Sequence, residues 1–230
     1  MKHITWYRVL VISYLVLLPG CGRIIDWGMC QVVQAEKDPL LSDIPCQYLR
    51  SIIVYDQLNT SGIFDALWLS DDVKTAYTDI YMAKNGKSEE RAMAFLRRQL
   101  EENRHFITFY ILVPYRIVLG DPDSIWSLYL GVDGTLYTPT EIKVVDLDIV
   151  YQSFFGKRFN QFKVAYRVKF DAQDADEQLI INTETRRMTL FIRSLCKEIS
   201  LNWDIASNGK VIFEFDEGCP VACDCYEGAV

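Results

Sequence analysis

Histidine is almost absent from this chain of 230 residues. Only His3 and His105 are present, which argues against Ser-His and Cys-His catalytic arrangements and against zinc sites built on several histidines. His105 follows a predicted helix, where we expect a surface histidine near the helix C-terminus. We therefore predict no catalytic residue, no metal site and no cofactor.

Clusters of basic residues are missing as well. The net charge is −7, and because residues 1–20 carry Lys2 and Arg8 but no carboxylate, the remaining residues carry about −9. Nucleic-acid binding depends on lysine and arginine contacts to phosphate, so no nucleic-acid partner is expected. Anionic lipid would repel the same charge, so membrane attachment would need another source.

A short apolar run near the N-terminus is the most informative feature that is present. Lys2 and Arg8 precede ten mostly apolar residues at 9–18, and Pro19-Gly20 interrupts the run directly before Cys21. A membrane-spanning helix needs about 20 apolar residues, whereas ten is typical of a signal-peptide hydrophobic region. The pattern therefore predicts a signal peptide over residues 1–20.

The segment Leu18-Pro19-Gly20-Cys21 resembles the cleavage site of bacterial lipoproteins. Leu18, Gly20 and Cys21 match that pattern, while Pro19 stands where a small or β-branched residue is usual. The resemblance covers about twenty residues and implies cleavage after Gly20 and lipid, palmitate included, on Cys21. Two or three acyl chains would hold the protein on a membrane of the bacterial cell envelope.

Other features refine this localisation and leave two alternatives. Gly22, rather than Asp, follows the cysteine, which for a lipoprotein of a diderm host favours the outer membrane facing the periplasm. The alternatives are an ordinary signal peptide cut nearby and an uncleaved anchor that continues through Ile25.

The rest of the chain predicts a mainly β fold with a helical hairpin insertion. Residues 21–47 lack periodicity and are expected to be a lipid-attached tether, residues 48–216 a β domain, and residues 217–230 a Cys-rich tail. Helical spacing of apolar residues, with capping serines, predicts the helical hairpin at about 70–103. Short runs of β-branched and aromatic residues predict strands, including Ile149–Phe155, Phe162–Phe170 and Lys210–Phe215. Their spacing favours an antiparallel β-sandwich, immunoglobulin-like or related.

Seven cysteines are present, which leaves six if Cys21 carries lipid. An oxidising envelope favours disulfides among them, and the candidates are Cys30, Cys46, Cys219, Cys223 and Cys225. The tail spacing C-x₃-C-x-C differs from the paired C-x₂-C of zinc ribbons, although three thiolates so close would suit a soft metal. Cys196 lies in an apolar segment, where a buried free thiol is as consistent with the sequence as a disulfide.

No residue set defines a reaction. The acidic run Asp171–Glu177 is expected to be a solvated loop rather than a calcium site, because its spacing is not that of an EF-hand. We therefore predict an envelope-anchored lipoprotein that serves structure or protein–protein interaction. Its partner would be an envelope protein that contacts the Phe154–Lys157 loop or the helical hairpin.

Two alternatives remain open. One is a module that binds a small ligand or a glycan, and the other is a hydrolase that acts through carboxylates. A concave pocket with convergent polar groups would favour the binding module, and a flat apolar patch would favour a protein partner.

Overall fold

The computed structural model describes residues 44–56, 59–86, 88–206 and 210–212. The predicted signal peptide, Cys21, residues 21–43 of the tether and the tail at 217–230 lie outside the described residues. The first described helix begins at Ile44, so the folded domain starts before the predicted boundary at residue 48.

Nine strands occur within the described residues, and all of their pairings are antiparallel. They are β1 (Leu49–Asp56), β2 (Asn59–Trp68), β3 (Phe106–Pro114), β4 (Ser127–Val132), β5 (Thr135–Tyr137), β6 (Glu141–Val145), β7 (Lys163–Asp171), β8 (Arg187–Arg193) and β9 (Glu198–Asp204). One sheet has the order β1-β2-β3-β7-β6, and the other has the order β5-β4-β8-β9. Beyond β9, Val211 forms a single bridge with Ile205, and residues 213–215 of the predicted last strand lie outside the described part.

The helices are α1 (Ile44–Tyr48), α2 (Asp71–Asn85), α3 (Glu89–His105) and α4 (Ile149–Phe155), and a short 3₁₀ helix follows at Gly156–Arg158. Helices α2 and α3 are the predicted hairpin between β2 and β3. The Ser70 Oγ accepts a hydrogen bond from the Val73 N–H and begins α2, while Gly86 ends it with a left-handed φ of 58°. The prediction of a mainly β, antiparallel fold with a helical hairpin is confirmed.

The predicted strand at Ile149–Phe155 is wrong, since this segment is helix α4. Asp148 caps the helix through its Oδ1, which accepts the Val150 N–H at 2.9 Å. Its four buried residues are Val150, Tyr151, Phe154 and Phe155. That spacing fits one helix face, whereas a strand would bury alternate residues. The prediction failed because the β-branched and aromatic composition of the segment favours a strand, although the spacing of its buried residues is helical.

Strand β3 lies at the centre of the larger sheet and is buried on both faces, as predicted for the run Phe106–Val113. On one face, Phe109 contacts Trp203 of the smaller sheet with ring centroids 5.4 Å apart. On the other face, the next residue Tyr110 contacts Tyr151 of α4 at 5.0 Å. Because successive strand residues point to opposite faces, the helices and the smaller sheet cover opposite sides of β3.

The stability of the protein should depend on Asp148 as the cap of helix α4. We expect Asp148→Ala to lower the free energy of unfolding by about 1 kcal/mol, because the Val150 N–H loses its acceptor. Asp148→Asn keeps a good capping oxygen and serves as the matched control, with little change expected. Urea unfolding of both variants checks this, and equal losses from Ala and Asn would contradict the capping role.

Candidate functional site

Few of the predicted site residues lie within the described part of the chain. Cys46 is buried in α1 and takes part in a disulfide bond. The other candidates, Cys30, Cys219, Cys223 and Cys225, lie outside the described residues, as does Cys21, so their roles stay predictions. Cys196, between β8 and β9, is a free cysteine, as one of the two alternatives had it, but it is exposed rather than buried.

The aromatic rings of the predicted partner surface at Phe154–Lys157 are not exposed. Phe154 and Phe155 are 2% and 0% exposed and belong to the hydrophobic core. They lie on the buried side of α4, since the segment is a helix rather than an exposed loop. These two rings are therefore core residues.

The acidic loop at Asp171–Glu177 uses its carboxylates locally. The Asp174 Oδ1 accepts the backbone N–H groups of Asp176 and Gln178, each at 2.9 Å. Within the described ranges, no three His, Cys, Asp or Glu side chains are grouped as a metal site would need. His105 ends α3 and is exposed beside Glu101, as predicted.

A polar cleft of about 260 Å³ opens between the helices and the larger sheet. Its walls come from α2, α3, α4, β3, β7 and the loop between β6 and α4. The polar cleft is lined by Leu69, Lys74, Tyr77, Gln99, Glu102, Thr108, Tyr110, Asp146, Asp148, Tyr151 and Arg167. Ionisable, hydroxyl and aromatic groups from distant parts of the chain thus face one small volume.

Three charged side chains meet at the inner end of the polar cleft. Lys74 and Glu102 line the cleft, and Lys169, which is not a lining residue, contacts Glu102. The Lys74 side chain is 1% exposed, and its Nζ lies 3.1 Å from the Glu102 Oε2. The other carboxylate oxygen, Oε1, lies 2.7 Å from the Lys169 Nζ. Lys74 also donates a hydrogen bond to the Gln99 carbonyl at 2.9 Å. Glu102 therefore joins α2, α3 and β7 through two ammonium groups.

The pKa values of this group follow from burial and pairing. Burial lowers the pKa of Lys74, and the Glu102 carboxylate opposes that effect only in part. Burial would raise the pKa of Glu102, but the hydrogen bond from Lys169 and the charge of Lys74 outweigh it, so the pKa lies below its ordinary value. Glu102 is therefore ionised at neutral pH, as the counter-charge for a buried ammonium.

Three tyrosines form an aromatic wall. Tyr77 and Tyr151 stack with centroids 4.2 Å apart and an interplanar angle of 6°, and Tyr110 meets Tyr151 edge to face. Burial, followed by the charge of Asp148, raises the pKa of Tyr77 to about 12. Burial also raises the pKa values of Tyr110 and Tyr151. All three phenols stay protonated at neutral pH and keep both a donor and an acceptor.

Thr108 is the most unusual residue of the polar cleft. It is 1% exposed, and its Oγ1 is buried without a hydrogen-bond partner. Buried polar groups are usually paired, and an unpaired one costs about 1–3 kcal/mol. Thr108 lies opposite Lys169 in the β3–β7 register, so its hydroxyl lies close to the inner charged group.

The outer end of the polar cleft carries two aspartates and an arginine. Asp146 and Asp148 are exposed on either side of the buried Leu147. The Arg167 Nη2 and Nε reach the Glu141 Oε1 at 2.7 and 3.0 Å, which neutralises the guanidinium charge. The aspartates therefore leave this end acidic.

A second cavity of about 380 Å³ lies near α1 and the start of α2. Its two carboxylates already accept hydrogen bonds from protein groups. The Tyr48 hydroxyl donates to the Asp72 Oδ2, and the Asn103 Nδ2 donates to the Asp71 Oδ1, each at 2.6 Å. The Asn103 Oδ1 there is also buried without a partner. The polar cleft is the stronger candidate site because the buried Lys74 and three tyrosines line it together.

Lys74, Glu102, Thr108 and the tyrosines were not predicted as a site from the sequence. A local signal existed for α2 alone, where Lys74 lies beside the apolar positions of an amphipathic helix. The members outside α2 come from three separate elements, α3, β3 and α4, and only the tertiary fold brings them together.

Comparisons with known proteins give no independent indication of function. No protein-family model matches the chain, and no curated protein sequence is similar to it. Among the described residues, no helix combines the length and apolarity needed to cross a membrane.

The inner charged group predicts a clear effect on stability. We expect Glu102→Gln to lower the free energy of unfolding by about 2 kcal/mol, because two ammonium groups would remain without their counter-charge. This is below the usual cost of breaking a buried pair, because the Glu102 side chain is 34% exposed. Glu101→Gln is the matched control, because Glu101 pairs with Arg104 on the protein surface. This variant should lower the free energy of unfolding by less than about 0.5 kcal/mol. Equal effects in urea unfolding would contradict the counter-charge role.

The same pair of variants predicts a pH dependence. A carboxylate whose folded pKa is lowered stabilises the protein above its unfolded pKa, near 4.3, and loses this effect as the pH falls through the folded pKa. We therefore expect the stability difference between the unmodified protein and Glu102→Gln to shrink below about pH 4. Chemical unfolding between neutral and acidic pH measures it, and a difference that grows on acidification would contradict the pairing with Lys74 and Lys169.

Proposed function

We propose that the protein is a binding module that holds a small polar molecule in the polar cleft, at the surface of a bacterial envelope membrane. The supporting observation is the convergence of charged, hydroxyl and aromatic groups on one concave site. Binding sites for small molecules combine a concave shape with a few well-placed polar groups. In this proposal the cleft binds and does not catalyse.

The size of the polar cleft limits the ligand. Typical small-molecule sites measure about 300–1,000 Å³, and the polar cleft is slightly smaller at about 260 Å³. A ligand with a single ring, or a short chain with polar ends, fits this volume. The tyrosine wall suits an aliphatic or sugar face, and the hydroxyl groups suit its polar substituents.

The proposed attachment is lipid on Cys21, which would place the cleft close to the membrane. It rests on the resemblance of residues 18–21 to a lipoprotein cleavage site. We further infer that the two sheets form an antiparallel sandwich, immunoglobulin-like or related. This inference is supported by one hydrophobic core that contains residues of both sheets.

A structural or protein-interaction role is the second proposal, and helix α3 favours it. This helix spans 17 residues, none of which is buried. Met93 is 55% exposed, and the apolar residues Phe95, Leu96 and Leu100 are only half-buried. An envelope protein that covers α3 would bury these side chains.

Binding in the polar cleft is testable with small polar molecules. We expect at least one compound from a panel of monosaccharides, amines, carboxylic acids and amino acids to bind the full-length chain in ligand-observed NMR. Tyr110→Phe should weaken that binding about three- to tenfold, the range for one lost hydrogen bond. Tyr129→Phe, on the smaller sheet, is the matched control and should leave affinity unchanged. No binding by any class, or equal effects of the two variants, would contradict the proposed site.

Lipid attachment is testable by metabolic labelling in a bacterial host with a palmitate analogue. The unmodified protein and Cys196→Ser, which alters the exposed free thiol, are expected to carry the label. Cys21→Ser is expected to lose it, because the acceptor sulfur is gone. An unlabelled native protein, or label that persists in Cys21→Ser, would contradict the lipoprotein proposal.

A further inference from the structure

The charges of the polar cleft are separated between its two ends. At the inner end, the ammonium groups of Lys74 and Lys169 share the single carboxylate of Glu102. Within this group of three side chains, two positive charges face one negative charge. At the outer end, Glu141 neutralises Arg167, and Asp146 and Asp148 have no ion pair with another described side chain. The buried end of the polar cleft therefore carries the Lys74 ammonium group, and its exposed end carries the two aspartates.

Unused hydrogen-bond donors lie at the inner end. The Lys74 ammonium has three N–H groups, of which two reach the Gln99 carbonyl and the Glu102 carboxylate. The Thr108 hydroxyl, in a residue that is 1% exposed, has no partner at all. Charge and donors together suit a carboxylate, because hydrogen bonds to ionised groups are the strong ones. A bound carboxylate would also satisfy the unpaired Thr108.

The outer end has the opposite preference. The Asp148 Oδ1 accepts the Val150 N–H, which leaves the second carboxylate oxygen available. The charge of Asp148 reaches the ring hydroxyls of Tyr77 and Tyr151, whose pKa values it helps to raise. Carboxylates next to aromatic rings form a favourable environment for an ammonium group.

We propose that the ligand of the polar cleft is a small zwitterion, an amino acid in the broad sense, with its carboxylate at Lys74 and Thr108. Its ammonium group lies toward Asp146 and Asp148, and its carbon chain lies against the tyrosine wall. This assignment rests on the proposed function and specifies the ligand class for the same site. The cavity volume of about 260 Å³ restricts the ligand to a few carbon atoms between the two charges.

Calorimetric titration of the full-length chain with a graded series of compounds tests this assignment. The zwitterions are glycine, β-alanine, γ-aminobutyrate and ε-aminohexanoate, which differ in charge separation. Butyrate and butylamine each carry one of the charges, and glucose carries neither. We expect at least one zwitterion to bind about tenfold more tightly than butyrate and butylamine, because each of those compounds lacks one charged contact.

Variants at the two ends assign the orientation. Thr108→Val should weaken zwitterion and butyrate binding but not butylamine binding. Asp148→Asn, which keeps the helix cap, should weaken zwitterion and butylamine binding but not butyrate binding. Thr108→Ser retains the hydroxyl and should bind as the unmodified protein does, and Thr189→Val on the smaller sheet is the control.

The outcomes separate this assignment from the proposed function. Binding of glucose alone, or equal binding of a zwitterion and the matching single-charge compound, would overturn the zwitterion and leave small-molecule binding intact. Equal losses in Thr108→Ser and Thr108→Val would overturn the role of the hydroxyl. Failure of this series and of the wider panel would overturn both proposals.

Discussion

The contact of Glu102 with two lysines is the interaction on which the helix-covered side of the protein depends. A buried ammonium such as that of Lys74 is tolerated only with a counter-charge and hydrogen bonds, and Glu102 and Gln99 of α3 supply both. The second lysine, Lys169, extends the contact to β7. The helical hairpin is thereby attached to the sheet through charged groups as well as apolar packing. An apolar contact at the same place would have closed the space that these groups keep polar.

The polar cleft follows from this arrangement. Because the hairpin meets the sheet through polar groups there, a volume remains between α2, α3, α4 and the strands, with Thr108 as part of its wall. The opposite side of β3 shows the contrast. There Phe109 packs against Phe170 and Trp203 without polar groups between the rings, as expected for a close-packed interior. The two faces of one strand thus differ, with closely packed rings on one side and the polar cleft on the other.

Local sequence patterns predicted much of the fold and little of the site. The run of β-branched and aromatic residues at Phe162–Phe170 and the capping serines are signals within a few residues, and they identified β7 and the helical hairpin correctly. The segment at 149–155 was wrongly predicted as a strand because β-branched and aromatic residues favour strands. Its helix depends instead on the Asp148 cap and on one buried face. The polar cleft joins Lys74 to Glu102, 28 residues away, and both to β3 and β7. No local sequence pattern predicts these contacts, because they depend on the strand order of the sheet.

The most direct measurement of the central claim is NMR of the full-length chain with isotope-labelled threonine methyl groups. The chain is titrated with the four zwitterions glycine, β-alanine, γ-aminobutyrate and ε-aminohexanoate. Thr108 lines the polar cleft, while Thr189 on the smaller sheet provides an internal reference. Saturable shifts of the Thr108 resonance, with Thr189 unchanged, are the predicted result. A Thr108 resonance that stays fixed while other resonances move would contradict the polar cleft as the binding site, and one that never moves with any compound of the series would contradict a zwitterion as its ligand.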